Sequence, residues 1–194
     1  MGKGINICNG NNYTDECIGH IVIPETYNGL PVQEIASRGF IDSTITSVFI
    51  PGSIFNIGAY AFDNCNQLKD VTIANGVEEI SELSFNACNS IESIVFPESI
   101  TYINHYCLYR LSGLKNVILK CNKYSVRSLC NGSTLIETIY DNAILQNPNL
   151  EKIYAIEGHG WNPGDTICGL PVHILPANGG ATIAKKMTVK EIKI

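Results

Sequence analysis

The sequence has few charged residues and no long apolar run, and each shortage excludes a class of protein. Charged residues make up 16% of its 194 positions, and the net charge is −5. No cluster of Lys and Arg is larger than the pair Lys185 and Lys186. Nucleic acids and anionic membranes are recognised by basic patches, so we expect neither as a partner.

The apolar runs span only a few residues, far below the roughly 20 that cross a bilayer, so we expect no membrane insertion. The opening residues also lack the apolar segment of about 7 to 15 residues that marks a secretion signal. The sequence by itself therefore leaves the compartment unknown.

The short motifs that accompany catalysis or metal binding are missing as well. We find no phosphate-binding loop, nucleophile elbow, zincin pattern or paired Cys-x2-Cys spacing. Only residues 157–165, followed by Cys168 and His173, resemble a catalytic segment, because a thiol near a histidine and an acid can form an activated nucleophile. The Gly and Pro content there is more typical of turns, with Trp161 covering the last coil. We predict no enzyme activity, no catalytic residue, no metal site and no cofactor.

What the sequence does contain is a repeat of 23 residues. Strand-like runs rich in β-branched residues align at 48–51, 71–74, 94–97 and 117–120, and further apolar columns begin at Ile54, Ile57, Phe62 and Leu68. Side chains of such strands alternate between two faces, and one coil cannot bury its apolar side alone. The repeat therefore predicts a mainly β solenoid of stacked coils, with a parallel sheet on one face.

The repeat becomes irregular towards both ends, as terminal repeats do because their outer face meets water. We predict an N-terminal cap at 1–20, a solenoid at 21–156 with regular coils at about 48–126, and a C-terminal cap and strand-like tail at 157–194. After Val126 the spacing slips, which predicts a degenerate coil through Ile139. Residues 165–176 resume a strand pattern. The tail at 178–194 could cap its own sheet or pair with a neighbouring chain.

Residues 50–68 and 27–35 resemble the BspA-like leucine-rich repeats, and the likeness covers about residues 21–156. Leu108 and Leu111 depart from the pattern, which usually has Phe and Cys there. The resemblance implies a right-handed leucine-rich-repeat solenoid. It also implies a non-enzymatic protein-binding or adhesion module at the cell surface or secreted, with a host, bacterial or matrix protein as partner. The alternative is a structural subunit of a surface layer or viral particle that self-associates through the sheet or the tail.

Strand alternation also predicts where a partner would bind. Because Val48 and Ile50 point into the core, Phe49 points outwards, and the same holds in each coil. The resulting outer column consists of Val22, Phe49, Thr72, Val95, Ile118, Tyr140 and Tyr154, and the polar column beside it consists of Ser47, Asp70, Ser93 and Asn116. The apolar members either form a binding surface, or merely suit a strand or lie beneath a terminal segment.

The eight cysteines follow the repeat rather than a disulfide pattern. Two pairs lie 23 residues apart, Cys65 with Cys88 and Cys107 with Cys130. Such columns favour a small buried side chain, which a free cysteine supplies. Stacked coils also bring these pairs within reach of a disulfide, so bonding stays open. In the N-terminal cap, Cys8 and Cys17 could pair with each other if the protein is exported.

Overall fold

The structure is a computed structural model that describes residues 17–104, 106–126, 147–167 and 169–177. These residues form a mainly β solenoid of about six turns with parallel sheets. Within them, the one helical element is a 3₁₀ turn at Lys123–Val126. The predicted fold class is confirmed.

One side of the solenoid carries a series of strands, one from each coil, that we call the front sheet. Its N-terminal part consists of β1 (Ile18–Val22), β5 (Thr44–Ile50) and β7 (Asp70–Ile73), all parallel. Its C-terminal part consists of β9 (Ser93–Phe96), β11 (Asn116–Leu119), β12 (Lys152–Ile156) and β14 (Leu170–Leu175), also parallel, with β13 (Thr166–Ile167) antiparallel to β14. Strands therefore occupy the segment at 165–176 where the sequence pattern places them.

A narrower second sheet runs along another side of the same coils. It is formed by the two-residue strands β4 (Glu34–Ile35), β6 (Asn56–Ile57), β8 (Glu79–Ile80) and β10 (Tyr102–Ile103), each parallel to the next. A hairpin of β2 (Thr26–Tyr27) and β3 (Leu30–Pro31) projects from the first coil. Its turn residues, Asn28 and Gly29, both have positive φ, as a tight hairpin requires.

The core lies between the two sheets and is made of the predicted columns. Ile54, Ile57, Phe62 and Leu68 are fully buried, as are their equivalents in the next two coils. The rings of Phe40 and Phe62 stack with centroids 5.0 Å apart, and those of Phe62 and Phe85 with centroids 5.2 Å apart. These separations are close to the spacing of neighbouring strands, so each coil places its ring directly on the one before.

The turns between the second sheet and the end of each coil contain two left-handed positions that the sequence does not reveal. They recur in successive coils at Arg38, Tyr60, Leu83 and Tyr106, and at Asp42, Asn64, Ala87 and Arg110, all with φ between 54° and 60°. Glycine is the usual residue in this conformation, because a side chain there costs about 1 kcal/mol or more. The regular stacking of the coils holds these residues in it.

β12 follows β11 directly in the front sheet, with Asn116 opposite Lys152. The described chain is in register again at Asn147, whose carbonyl accepts the Leu150 N–H at 3.0 Å. The same bond is made by Cys65, Cys88 and Leu111 to the residue three positions later. Residues 127–146 lie outside the described part of the chain, so the predicted coil through Ile139 stays a prediction.

The side chain of Asn147 also makes hydrogen bonds to two buried backbone groups. Its Nδ2 donates to the Leu108 carbonyl at 2.8 Å, and its Oδ1 accepts the Leu111 N–H at 2.6 Å. In earlier coils the equivalent carbonyls, of Phe40 and Phe62, accept from cysteine thiols. Asn147 therefore takes the place of the repeat cysteine in the coil that begins with β11.

Candidate binding face

The front sheet aligns the outer column in the register that the sequence predicts, with one exception. Val22 lies beside Phe49, and Phe49 beside Thr72. Further along, Val95 lies beside Ile118, and Ile118 beside Tyr154. Tyr140 lies outside the described residues, so its place in the column stays a prediction.

The N-terminal part of the column is open to solvent. Val22 is 55% exposed and Phe49 37%, and Thr72 is exposed beside them. Two polar residues, His20 and Ser47, border this surface. Their side chains share a hydrogen bond, with His20 Nδ1 and Ser47 Oγ 2.6 Å apart. Ser47 in turn lies beside Asp70 in the sheet. We call the outer face of β1, β5 and β7 the N-terminal patch.

The C-terminal part of the outer column is buried or half-buried, although the predicted binding surface includes it. Ile118 alternates with Val117 and Leu119 and so points away from the core, yet it is fully buried. Val95 and Tyr154, its neighbours in the sheet, are half-buried. Ser93 and Asn116 of the polar column are half-buried as well. Ile118 is therefore not available to a partner, because no part of its side chain reaches solvent.

Two residues of the N-terminal patch were missed by sequence reasoning. Ile18 is 63% exposed and His20 is exposed, and both lie on β1. β1 begins before the solenoid start predicted at residue 21, so both residues fell into the predicted cap. Strand alternation gave little signal for Ile18 and His20, because the register between β1 and β5 shifts between Gly19 and His20.

The described cysteines of the repeat act as buried packing residues. Cys65, Cys88, Cys107 and Cys121 are free thiols, each fully buried. The thiols of Cys65 and Cys88 donate to the carbonyls of Phe40 and Phe62, both at 3.0 Å. Burial raises the pKa of the Cys107 thiol and raises that of Cys121 to about 12, so both stay protonated and unreactive.

Cys17 is different from the repeat cysteines, because it is disulfide-bonded. Its partner lies outside the described residues, so the predicted pairing with Cys8 stays a prediction. Peptide mapping under non-reducing conditions identifies the partner directly.

The segment that resembles a catalytic site closes the C-terminal end of the core. Trp161 is buried, and its Nε1 donates to the Cys121 carbonyl at 3.1 Å. Asp165 binds Lys123 Nζ at 2.5 Å and accepts the Asn162 N–H at 2.7 Å. The side chain of His173 lies against Tyr154, with ring centroids 5.7 Å apart, and Cys168 lies outside the described residues. These contacts join the loop at 157–165 to the coil beneath it.

The ion pair of Lys123 and Asp165 makes this closure sensitive to acid. Burial opposes ionisation of Asp165, but the hydrogen bonds from Lys123 and Asn162 and the charge of Lys123 hold its pKa below the usual value. Because the folded pKa lies below the unfolded one, the stabilisation is complete above about pH 4 and is lost as the pH falls through the folded pKa.

We therefore expect Asp165→Asn to lower the free energy of unfolding by about 1 kcal/mol at pH 7. Urea unfolding from pH 7 to pH 2 measures this difference. It should shrink towards zero at the acid end, where the wild-type carboxylate is also protonated. A difference that stays constant over this range would contradict the role of the ion pair.

Within residues 17–104, 106–126, 147–167 and 169–177, no three His, Cys, Asp or Glu side chains lie close enough to hold a metal ion. In the same residues, no helix has the length and apolar character that crossing a membrane requires.

The model of the BspA type leucine-rich repeat region matches residues 33–155 in six copies. The chain belongs to this family. Leucine-rich repeat proteins of this kind are generally non-enzymatic interaction modules, and no catalytic function is indicated for this chain.

Solved leucine-rich repeat structures show the same fold. A leucine-rich repeat protein of Treponema pallidum is 24% identical, with a TM-score of 0.57 over 81% of this chain and 70% of that one. A leucine-rich cell surface protein of Faecalibacterium prausnitzii is 25% identical, with a TM-score of 0.52 over 70% of this chain. The chain spans 31% of the length of that second protein. No curated protein matches the chain.

Proposed function

We propose that this BspA-type chain is an adhesion-type module whose protein partner binds the N-terminal patch. The observation that supports this most directly is the pair Val22 and Phe49, two large apolar side chains that lie side by side on the front sheet and are open to solvent. Contiguous exposed apolar surface commonly marks a protein interface, and aromatic side chains at its centre contribute most to binding.

The distribution of exposed apolar residues favours the N-terminal coils over the rest of the solenoid. Of the eight large apolar side chains that are exposed in the described residues, six lie between Ile18 and Phe55. Beyond them, the described residues expose only two large apolar side chains, Tyr102 and Tyr124. The apolar surface that a partner could contact is therefore concentrated in the N-terminal coils.

Two observations support a location outside the cell. A stable disulfide such as that of Cys17 is typical of oxidising compartments. The related protein of Faecalibacterium prausnitzii is described as a cell surface protein. A matrix, host or bacterial protein is then the class of partner that the module would meet.

The test is a binding measurement with a matched pair of variants. Wild-type protein is passed over immobilised fibronectin, laminin and collagen, and the strongest binder is used for Phe49→Asp and Phe55→Asp. Phe55 is a suitable control because it is 46% exposed and belongs to the same coil, but precedes β6 of the second sheet. We expect Phe49→Asp to weaken binding by about 30-fold or more, as loss of a central aromatic contact does, and Phe55→Asp to leave it unchanged.

Equal effects of the two variants, or none, would contradict the assignment of the N-terminal patch. Circular dichroism and urea unfolding show whether both variants keep the fold. Sedimentation velocity on the same samples addresses the structural-subunit alternative: a wild-type oligomer that Phe49→Asp dissociates, with no binding to any of the matrix proteins, would favour self-association over adhesion.

A further inference from the structure

The front sheet is interrupted at one place in the middle of the solenoid. β7 pairs with β5 over four residues, and β9 pairs with β11 over four residues. Among the described residues, however, β7 and β9 are not paired with each other, and the two belong to separate sheets. We call this gap the seam.

The seam is confined to the front of the coils. On the second sheet, β8 and β10 pair in register, with Ile80 opposite Ile103. On the turn side, the N–H groups of Phe85 and Ala87 donate to carbonyls of the next coil at 3.0 Å and 2.8 Å. The same two coils are therefore bonded to each other on other sides while their front strands are not.

Burial of the core residues next to the seam agrees with this interruption. The inward-pointing Val71 of β7 is only half-buried. Its equivalents in the neighbouring front strands, Val48, Ile94 and Val117, are at most 2% exposed. Solvent therefore reaches the core through the front of the β7 coil more easily than elsewhere in the sheet.

Pro97 removes one possible hydrogen bond from the seam. The residues that follow β7 and β11 donate their N–H groups to the preceding coil: Ala74 donates to the Ile50 carbonyl at 2.9 Å, and Lys120 to the Phe96 carbonyl at 3.0 Å. After β9 this position is Pro97, which has no N–H. Pro51 follows β5 in the same way. There, however, the Ile23 N–H donates to the Phe49 carbonyl at 3.1 Å, so β1 and β5 stay joined at this end.

From these observations we infer that the front sheet opens at the seam, so that the solenoid bends there about its intact second sheet. In a repeat protein, stability depends on contacts between neighbouring coils, and the weakest interface opens first. The bend separates the three strands of the N-terminal patch from the closed C-terminal strands. This inference does not depend on the identity of any partner.

Amide hydrogen exchange of the whole chain, resolved by residue, tests the seam. The amides of β7 and β9 that point across the seam should exchange at least about tenfold faster than amides of β5 and β11 that are bonded to neighbouring strands. The reason is that an amide without a hydrogen-bond partner is not protected from exchange. Equal protection in all four strands would overturn the inference.

Two proline variants test the contribution of Pro97 to the seam. Pro97→Ala supplies the missing donor opposite the Ile73 carbonyl and should slow exchange at the seam about fivefold, the effect of one hydrogen bond. Pro51→Ala is the matched control, since Pro51 is equally buried and follows a strand whose ladder is already closed. It should leave exchange at the seam unchanged. No slowing in Pro97→Ala, or equal slowing in both variants, would overturn the role of Pro97.

Discussion

Replacing Phe62 by alanine is expected to lower the free energy of unfolding by about 4 kcal/mol. Phe62 is fully buried and stacks on Phe40 on one side and on Phe85 on the other. The change therefore removes both ring contacts and leaves a cavity in the middle of the column. Because the coils are fixed by hydrogen bonds along two sheets, they cannot collapse to fill it. Urea unfolding followed by circular dichroism measures the loss.

Phe85→Leu is the matched control for this prediction. Leu108 occupies the next position in the column and is also fully buried, so the stack accepts leucine at its C-terminal end. We expect Phe85→Leu to cost only about 1 kcal/mol, since most of the volume is kept. A loss below about 1.5 kcal/mol for Phe62→Ala would mean that the column contributes little to the stacking of the coils.

Replacing Asn147 by alanine is expected to cost about 3 kcal/mol. The change leaves the Leu108 carbonyl and the Leu111 N–H without their partner in the buried interior, and each unpaired buried group costs about 1 to 3 kcal/mol. Asn149→Ala provides the control, because Asn149 is exposed and donates to the Ser112 carbonyl near the surface. That variant should lose less than about 1 kcal/mol.

Asn147→Cys separates the bond to the Leu108 carbonyl from the bond to the Leu111 N–H. A thiol can donate to the Leu108 carbonyl, as Cys65 and Cys88 donate to the equivalent carbonyls, but it accepts only weakly from the Leu111 N–H. We expect Asn147→Cys to recover part of the stability that Asn147→Ala loses. If cysteine and alanine were equally destabilising, Asn147 would not stand in the place of the repeat cysteine.

The sequence was sufficient to predict the fold because the coils repeat their chemistry. Apolar residues equivalent to Val48, Phe62 and Leu68 occur every 23 residues. A side chain that is buried in one coil is buried in the next because the coils stack in register. The repeat does not reveal where the register returns after Val126. The described chain resumes there with the polar Asn147, and apolar periodicity gives no signal for that residue.

The candidate site could be predicted only in outline. Alternation along each strand correctly assigned Phe49 and Ile118 to the outer face, but it could not show that one is exposed and the other fully buried. That difference depends on groups distant in sequence, which periodicity does not reveal. The left-handed turn at Leu83 was equally unpredictable, since leucine gives no local signal for positive φ.

Photocrosslinking from the N-terminal patch tests the central proposal most directly. A photoreactive phenylalanine analogue is placed at position 49 in one sample and at position 55 in another, and each is irradiated while bound to the matrix protein that the wild-type chain binds. The account predicts a covalent adduct from position 49 and none from position 55. An adduct from position 55 alone would contradict it, because the partner would then lie on a different side of the same coil.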